Sequence, residues 1–140
     1  MERTFLMVKP RAVSEGLTGP ILAELEAGGF RIVGLASRRL TSDEAHIFYD
    51  VHVGKPFFET LVEFVTSGMT VGVLLEAPDA VTALRAFIGA TDPAKAAPDT
   101  IRAKYGKSLT QNAVHASDAP ERVTHESAIH FGDCPRTIAG

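Results

Sequence analysis

The chain has 140 residues, 45% of them hydrophobic, with 17 acidic against 14 basic side chains and a formal charge of −3. That length and apolar content suit one globular domain spanning residues 1–140 with a sizeable core, while the acidic balance argues against a protein that coats DNA or RNA. The single cysteine, Cys134, excludes an internal disulfide and fits a reducing compartment. No charged segment followed by a long apolar run opens the chain, and no apolar stretch reaches bilayer length, so the expectation is a soluble, cytoplasmic protein without nucleic-acid or membrane partners.

Residues 4–8 (Thr-Phe-Leu-Met-Val) are a continuous apolar run stopped by Lys9-Pro10, which predicts a buried strand with Lys9 at its cleft-facing end. Residues 11–16 read as loop. Over 18–27, Ile21, Leu22 and Leu25 recur at helical spacing, and Gly28-Gly29 ends that helix. Residues 30–40 form a second strand, with Arg38-Arg39 on a solvated face or an oligomer contact. Thr41-Ser42-Asp43-Glu44 matches a capping box and starts a helix carrying Ala45, Phe48 and Tyr49. Gly54-Lys55-Pro56 breaks the chain. Phe57, Phe58, Leu61, Val62 and Val65 then recur at helical period and Gly68 closes the run, so the two helices make a hairpin.

Residues 69–76 are a third strand, apolar enough to lie mid-sheet. Pro78-Asp79 opens a helix with Val81, Leu84 and Ile88, ended by Gly89. Residues 91–111 contain Pro93, Pro98 and Gly106 and little apolar periodicity; loops longer than about 12–15 residues in a compact domain are usually functional or disordered. This one leads into a fourth strand at 112–115 and a last helix with Val123 and Ala128, before an irregular tail through Cys134-Pro135. Hairpin aside, the order is βαββαβ. The expected class is α+β, ferredoxin-like: an antiparallel sheet with helices on one face and an inserted helical hairpin.

The stretch around His115 carries the chemistry. A short strand delivers the histidine and a helix start follows, with Ser117 and Asp118 able to cap orphan N–H groups, Pro120 suited to the first turn and Glu121 to the positive end of the dipole. Such a position meets phosphate readily. A half-buried strand histidine is the structural alternative, since His is intermediate in burial. A neutral imidazole has a free lone pair at neutral pH, and an adjacent carboxylate would fix its tautomer; Glu126, two turns into the next helix, is the candidate. Lys9, Arg85 and Arg102 are each ordinary surface charges unless they converge on His115, where phosphoryl transfer needs cationic clamps. Phe57, Phe58 and Tyr49 read as core, yet a ring on the lip of an inserted hairpin can stack on any base. No Walker loop or kinase Gly-rich loop occurs. His125, His130, Asp133 and Cys134 match no usual zinc spacing, so no metal site is expected.

With these residues in view, the chain resembles the nucleoside diphosphate kinase family over roughly residues 2–131. The family pattern Asn-x-x-His-Gly-Ser-Asp-Ser is met by Asn112-Ala113-Val114-His115-Ala116-Ser117-Asp118-Ala119, with two departures. Glu2-Arg3-Thr4-Phe5 through Lys9-Pro10, Gly28-Gly29-Phe30-Arg31-Ile32-Val33-Gly34-Leu35, Lys55-Pro56-Phe57-Phe58 and Pro98-Asp99-Thr100-Ile101-Arg102 are similar to family motifs in family order. The resemblance implies a phosphorylated His115, with Ser117 near the transferred group and Glu126 orienting the ring. It implies that Lys9, Tyr49, Arg85, Thr91, Arg102 and Asn112 hold phosphates and ribose, that Phe57 stacks on the base, and that Lys9 and Tyr49 also take part in catalysis. A ping-pong reaction between nucleoside tri- and diphosphates, Mg2+ carried with the nucleotide and a homo-oligomer, tetramer or hexamer, are implied likewise.

Ala116 replaces a family glycine, which matters if that position needs positive φ. Ala119 removes a possible cap that Ser117 or Asp118 would supply. Arg11-Ala12 and Lys104 alter loop charge near the expected cleft. Two rivals follow: a non-catalytic nucleotide-binding regulatory module of the same fold, and an RNA-recognition module, whose aromatic strand motif is absent.

Overall fold

The apolar run at the N-terminus becomes β1 (Glu2–Val8), and everything else is arranged by which of its two faces an element covers. The structure, a computed structural model, describes residues 1–132. β1 pairs antiparallel with β3 (Thr70–Ala77) on one side and β4 (Val114–Ala116) on the other, and β2 (Arg31–Arg38) pairs antiparallel with β3. The spatial order is β2-β3-β1-β4, which is the ferredoxin-like arrangement.

Alternation along β1 divides the core. Leu6 and Val8 point to a cluster built with α2 (Thr18–Ala27) and α5 (Ala80–Ile88), through Ile21, Leu25, Leu84 and Ile88. Phe5 and Met7 point to a second cluster with α3 (Ser42–Phe48), α4 (Phe58–Val65) and α7 (Pro120–Phe131), through Phe48, Val62, Val65 and Val123. The two crossover helices do share one face, as expected. The other face is not open: the inserted hairpin and the last helix cover it, because β1 and β3 are apolar on both sides. Burying each large side chain of these clusters contributes about 1.5–3 kcal/mol.

The capping box at Thr41 forms in full, with Glu44 N–H donating to Thr41 Oγ1 and Thr41 N–H to Glu44. Arg38 at the end of β2 pairs with the same Glu44. Two short helices lie in segments that read as irregular. α1 (Pro10–Ser14) occupies the expected loop 11–16, started by Pro10 at its first position and buried through Ala12. α6 (Ile101–Tyr105) lies in the 91–111 segment, capped by Thr100 Oγ1, which accepts from Ala103 N–H. Each has five residues, too few to show a helical period. The hairpin helix also ends sooner than its pattern, at Phe48, and a 3-10 turn, Asp50–His52, follows. No helix of the described residues is long and apolar enough to cross a membrane.

The end of α7 is seated by glycine. A Cβ on Gly72 would stand 2.5 Å from His130 Cγ, and one on Gly34 3.1 Å from Phe131 Cε1, so both rings lie directly on the sheet backbone. His130 Nε2 meets Thr70 Oγ1 at 2.8 Å, and burial, with Arg38 nearby, pushes its imidazole down to about 4. The folded state therefore favours the neutral ring. Its contribution is full above the unfolded value of about 6.5 and is lost as pH falls through about 4. Denaturant unfolding of wild type and His130→Gln should give a stability difference that is constant above pH 7 and shrinks between pH 6.5 and 4; a pH-independent difference would exclude this role.

Candidate active site

The register of the sheet decides where His115 goes. It sits opposite Met7, and directly paired residues of an antiparallel ladder project to the same face, so its ring enters the cluster formed by the hairpin and α7. Phe48 lies edge-on at 4.8 Å and Tyr49 at 6.1 Å, nearly perpendicular. His115 Nε2 lies 2.7 Å from Glu126 Oε1 on α7, and Ser117 Oγ donates to the same oxygen at 2.7 Å. Burial works against ionising Glu126, but the hydrogen bond and charge of His115, then Ser117 and Arg122, outweigh it and hold the carboxyl below its usual range. An ionised carboxylate only accepts, so Nε2 carries a proton, and in the neutral ring the lone pair is therefore on Nδ1. Nδ1 has no hydrogen-bond partner among the described residues.

β4 itself begins late, at Val114 rather than Asn112, because Ala113 takes φ +78°. Val114 N–H donates back to Asn112 carbonyl at 3.0 Å, a tight turn in a conformation that costs a non-glycine residue about 1–3 kcal/mol. Lys9 N–H secures the Ala113 carbonyl at 2.9 Å. The kink frees Asn112 from the ladder. Its side chain takes Lys9 Nζ on Oδ1 at 2.9 Å and donates from Nδ2 to the Thr91 carbonyl at 3.0 Å.

Arginines bracket the strand from α5 and α6. Arg102 donates to the Val114 carbonyl at 3.0 Å and to Gly89 at 3.2 Å, and Arg85 donates to Ala116 at 3.3 Å. Burial, and secondly Arg102, push the Lys9 ammonium down to about 7; burial, and secondly Arg85, push Arg102 down to about 10. None of the three cations pairs with a carboxylate among the described residues. Lys9 and Arg102 are buried and Arg85 is exposed; cations clustered without counter-charge make a site poised for a polyanion. Burial first, and then Glu126, hold the Tyr49 hydroxyl well above the usual phenol range, so it stays a donor.

These groups share a cavity of about 320 Å³. Lys9, Tyr49, Phe57, Arg85, Thr91, Arg102, Asn112, His115 and Glu126 all line it. Ser117 does not; it is buried behind Glu126. Nor do Ser117 and Asp118 cap α7, whose N-cap is Ala119 with no side-chain hydrogen bond, since Ser117 is spent on Glu126. Phe57 stands on the lip, 45% exposed, with the His52 ring at 5.3 Å and Lys55 Nζ 5.9 Å over its face. Sequence reasoning missed eight of the lining residues, His52, Leu61, Leu109 and Asp118 among them. Leu61 had a signal, since it lies one helical turn after Phe57 and so shares its face. Leu109 had none.

Arg11 and Lys104 do not face the cavity as expected. Arg11 reaches the Tyr105 carbonyl at the end of α6 and Glu15 at 3.0 Å, while Lys104 and the Tyr105 hydroxyl both engage Glu24 on α2. They fasten α6 to α1 and α2. His125 and His130 also serve structure, on the Ile47 carbonyl and on Thr70. Asp133 and Cys134 lie outside the described residues, and no group of three or more potential metal ligands exists among those described.

The family model for nucleoside diphosphate kinase matches residues 2–135. A nucleoside diphosphate kinase of Herpetosiphon aurantiacus is 46% identical over 131 residues, which is 94% of this chain and 88% of that protein. The chain belongs to the nucleoside diphosphate kinase family. Solved structures agree. The Aquifex aeolicus kinase superposes with a TM-score of 0.87 at 44% identity, over 91% of this chain and 92% of that one. The Halobacterium salinarum kinase, solved in complex with CDP, superposes with a TM-score of 0.89 at 42% identity, over 99% and 92%. The function of the chain is accordingly nucleoside diphosphate kinase: transfer of the γ-phosphate of a nucleoside triphosphate to a nucleoside diphosphate. Nucleotide kinases of this kind work with a divalent metal on the nucleotide. The regulatory-module alternative is not favoured.

Within this kinase fold Ala116 is harmless. Positive φ among the non-glycine described residues is confined to Asp79 and Ala113, so position 116 does not need glycine. Ala116→Gly should lower stability by about 0.5–1 kcal/mol in denaturant unfolding, and a gain in stability would contradict the strand geometry.

Proposed function

We propose that His115 carries the phosphoryl group through a ping-pong cycle. Nδ1 attacks the γ-phosphorus, an N–P bond forms, and the bond to the β,γ-bridging oxygen breaks, so the diphosphate leaves with that electron pair. Nε2 keeps its proton throughout, held on Glu126, whose carboxylate stabilises the positive charge that develops on the ring. In the second half, a terminal oxygen of an incoming diphosphate attacks phosphorus and the N–P electrons return to Nδ1. The observation that supports this most is the occupied Nε2 beside three uncountered cations, which leaves Nδ1 as the open nucleophile.

Lys9, Arg85 and Arg102 meet the phosphate oxygens and gain most as charge spreads in the transition state. Tyr49, with its hydroxyl kept protonated, donates to the transferred group. Thr91 and Asn112 hold phosphate and ribose, and Phe57 stacks on the base, which tolerates different bases because each has a π-face. Ser117 acts by donating to Glu126. Mg2+ would enter with the nucleotide and offset its phosphate charge; among the described residues the cavity offers Asp118 as the one carboxylate not bound to His115, which suits a metal held by the nucleotide rather than by a protein cage. The chain works as a single domain within a cytoplasmic homo-oligomer, tetramer or hexamer; the edge of β2, unpaired among the described residues, and the exposed Leu35 upon that strand support assembly.

With γ-labelled ATP, wild type should acquire a base-stable, acid-labile label, and His115→Ala should acquire none and lose roughly 10³-fold or more of its exchange rate. Exchange that survives loss of the ring would sink the mechanism. Phe57→Ala should raise KM roughly 5–100-fold for all bases alike, the equivalent of about 1–3 kcal/mol of stacking. Lys9, pushed down to about 7 when unliganded, should recover its proton against phosphate. Calorimetry at pH 8 in buffers of different ionisation enthalpy should then show proton uptake on ADP binding that disappears in Lys9→Met; proton-neutral binding by the wild type would count against contact between Lys9 and phosphate.

A further inference from the structure

A carboxylate as buried as Glu126 needs both oxygens partnered. His115 and Ser117 share Oε1. Oε2 is met from behind by Arg122, one turn earlier on α7, with Nε at 3.4 Å. The same guanidinium turns Nη2 onto Asp50 Oδ1 at 2.9 Å. Asp50 opens the 3-10 turn between the hairpin helices, and the turn ends at His52, which lines the cavity beside Phe57. Arg122 does not line the cavity, so it reaches the reaction only through Glu126.

We propose that Arg122, anchored by Asp50, is a positioning residue that sets the rotation of the Glu126 carboxylate and ties it to the nucleotide-binding lip. This rests on the reading of His115 as the nucleophile. The terminal torsion of a glutamate is broad, so two hydrogen bonds on one oxygen leave the carboxylate plane free to turn about them. A donor on the second oxygen fixes that plane. Arginine suits the task because its planar fork engages two carboxylates in fixed geometry, whereas lysine offers one point charge. The arrangement runs from the lip through Asp50, Arg122 and Glu126 to the imidazole, with a hydrogen bond at each step. A displacement of about 1 Å at the end of such a chain costs on the order of 10²-fold in rate. α7 is not left unmoored without Arg122: His125 Nε2 still meets the Ile47 carbonyl at 2.8 Å and lies 3.5 Å from Asp50.

The test uses the purified full chain as wild type, Arg122→Ala, Arg122→Lys, Asp50→Asn, the Asp50→Asn/Arg122→Ala double variant and His115→Ala. Single-turnover labelling from γ-labelled ATP, steady-state kcat and KM, and ADP binding are measured for each. Arg122→Ala should lower kcat and the labelling rate roughly 10–100-fold, with KM and ADP affinity within about twofold of wild type. Arg122→Lys should recover part of the rate. Asp50→Asn should lose less than Arg122→Ala, and the double variant should match Arg122→Ala, because Asp50 acts through the arginine. A raised KM at unchanged kcat, a wild-type labelling rate in Arg122→Ala, or strictly additive losses would overturn the proposal. If His115→Ala labels normally, the phosphohistidine reading fails and this one with it; if His115→Ala is inert while Arg122→Ala is unimpaired, the positioning role alone is refuted.

Discussion

The contact on which the site depends is the 2.7 Å hydrogen bond between His115 and Glu126. A carboxylate almost wholly removed from water is costly unless its lone pairs are met, and here an imidazole, a hydroxyl and a guanidinium meet them. That satisfaction has a chemical consequence. With Nε2 donating to Glu126, the neutral ring keeps its lone pair on Nδ1, in a cavity that Lys9, Arg85 and Arg102 also line. The hydrogen bond that stabilises the buried acid is therefore also the one that orients the imidazole.

Placing this pair required both faces of the sheet to be covered. The crossover helices α2 and α5 complete one core, as they do in any βαββαβ unit. Against the other face, the hairpin brings Phe48 and Tyr49 to the imidazole and α7 brings Glu126. Gly34 and Gly72 let α7 lie close enough to do so, since a methyl group at either would meet an aromatic or imidazole ring. The lip carrying Phe57 is an extension of the same hairpin. The exposed Phe57 ring and the partners of the His115 ring thus come from elements packed on one face, the inserted hairpin and α7.

The residues in which this chain departs from the family pattern fall outside the reacting groups. Ala116 lies in ordinary strand geometry, and Ala119 caps α7 without a side-chain bond. Arg11 and Lys104 belong to a lattice of ion pairs with Glu15 and Glu24 that braces α6, the helix from which Arg102 reaches the carbonyl of Val114. Their influence on the cavity passes through the placement of that helix, because neither side chain lines the cavity.

Much of the fold was legible in the chain itself. Periodicity located the four strands and the larger helices, the Thr41 capping box marked its helix to the residue, and the histidine pattern with its matched motifs named the charged side chains of the cavity except Asp118. Those signals are local, or are carried by residue types whose chemistry needs little context. The sequence alone therefore determined the βαββαβ order and singled out His115 and the cations that share its cavity. Tertiary structure decided the rest: that helices cover both faces, that α1 and α6 form at five residues each, that Ser117 serves Glu126 instead of a helix cap, that Leu109 reaches the cavity, and that Arg122 and Asp50 join the lip to the carboxylate. None of these has a period or a spacing to reveal it. Each is settled by sheet register and by the need to satisfy a buried charge, and both are set by residues distant in the chain.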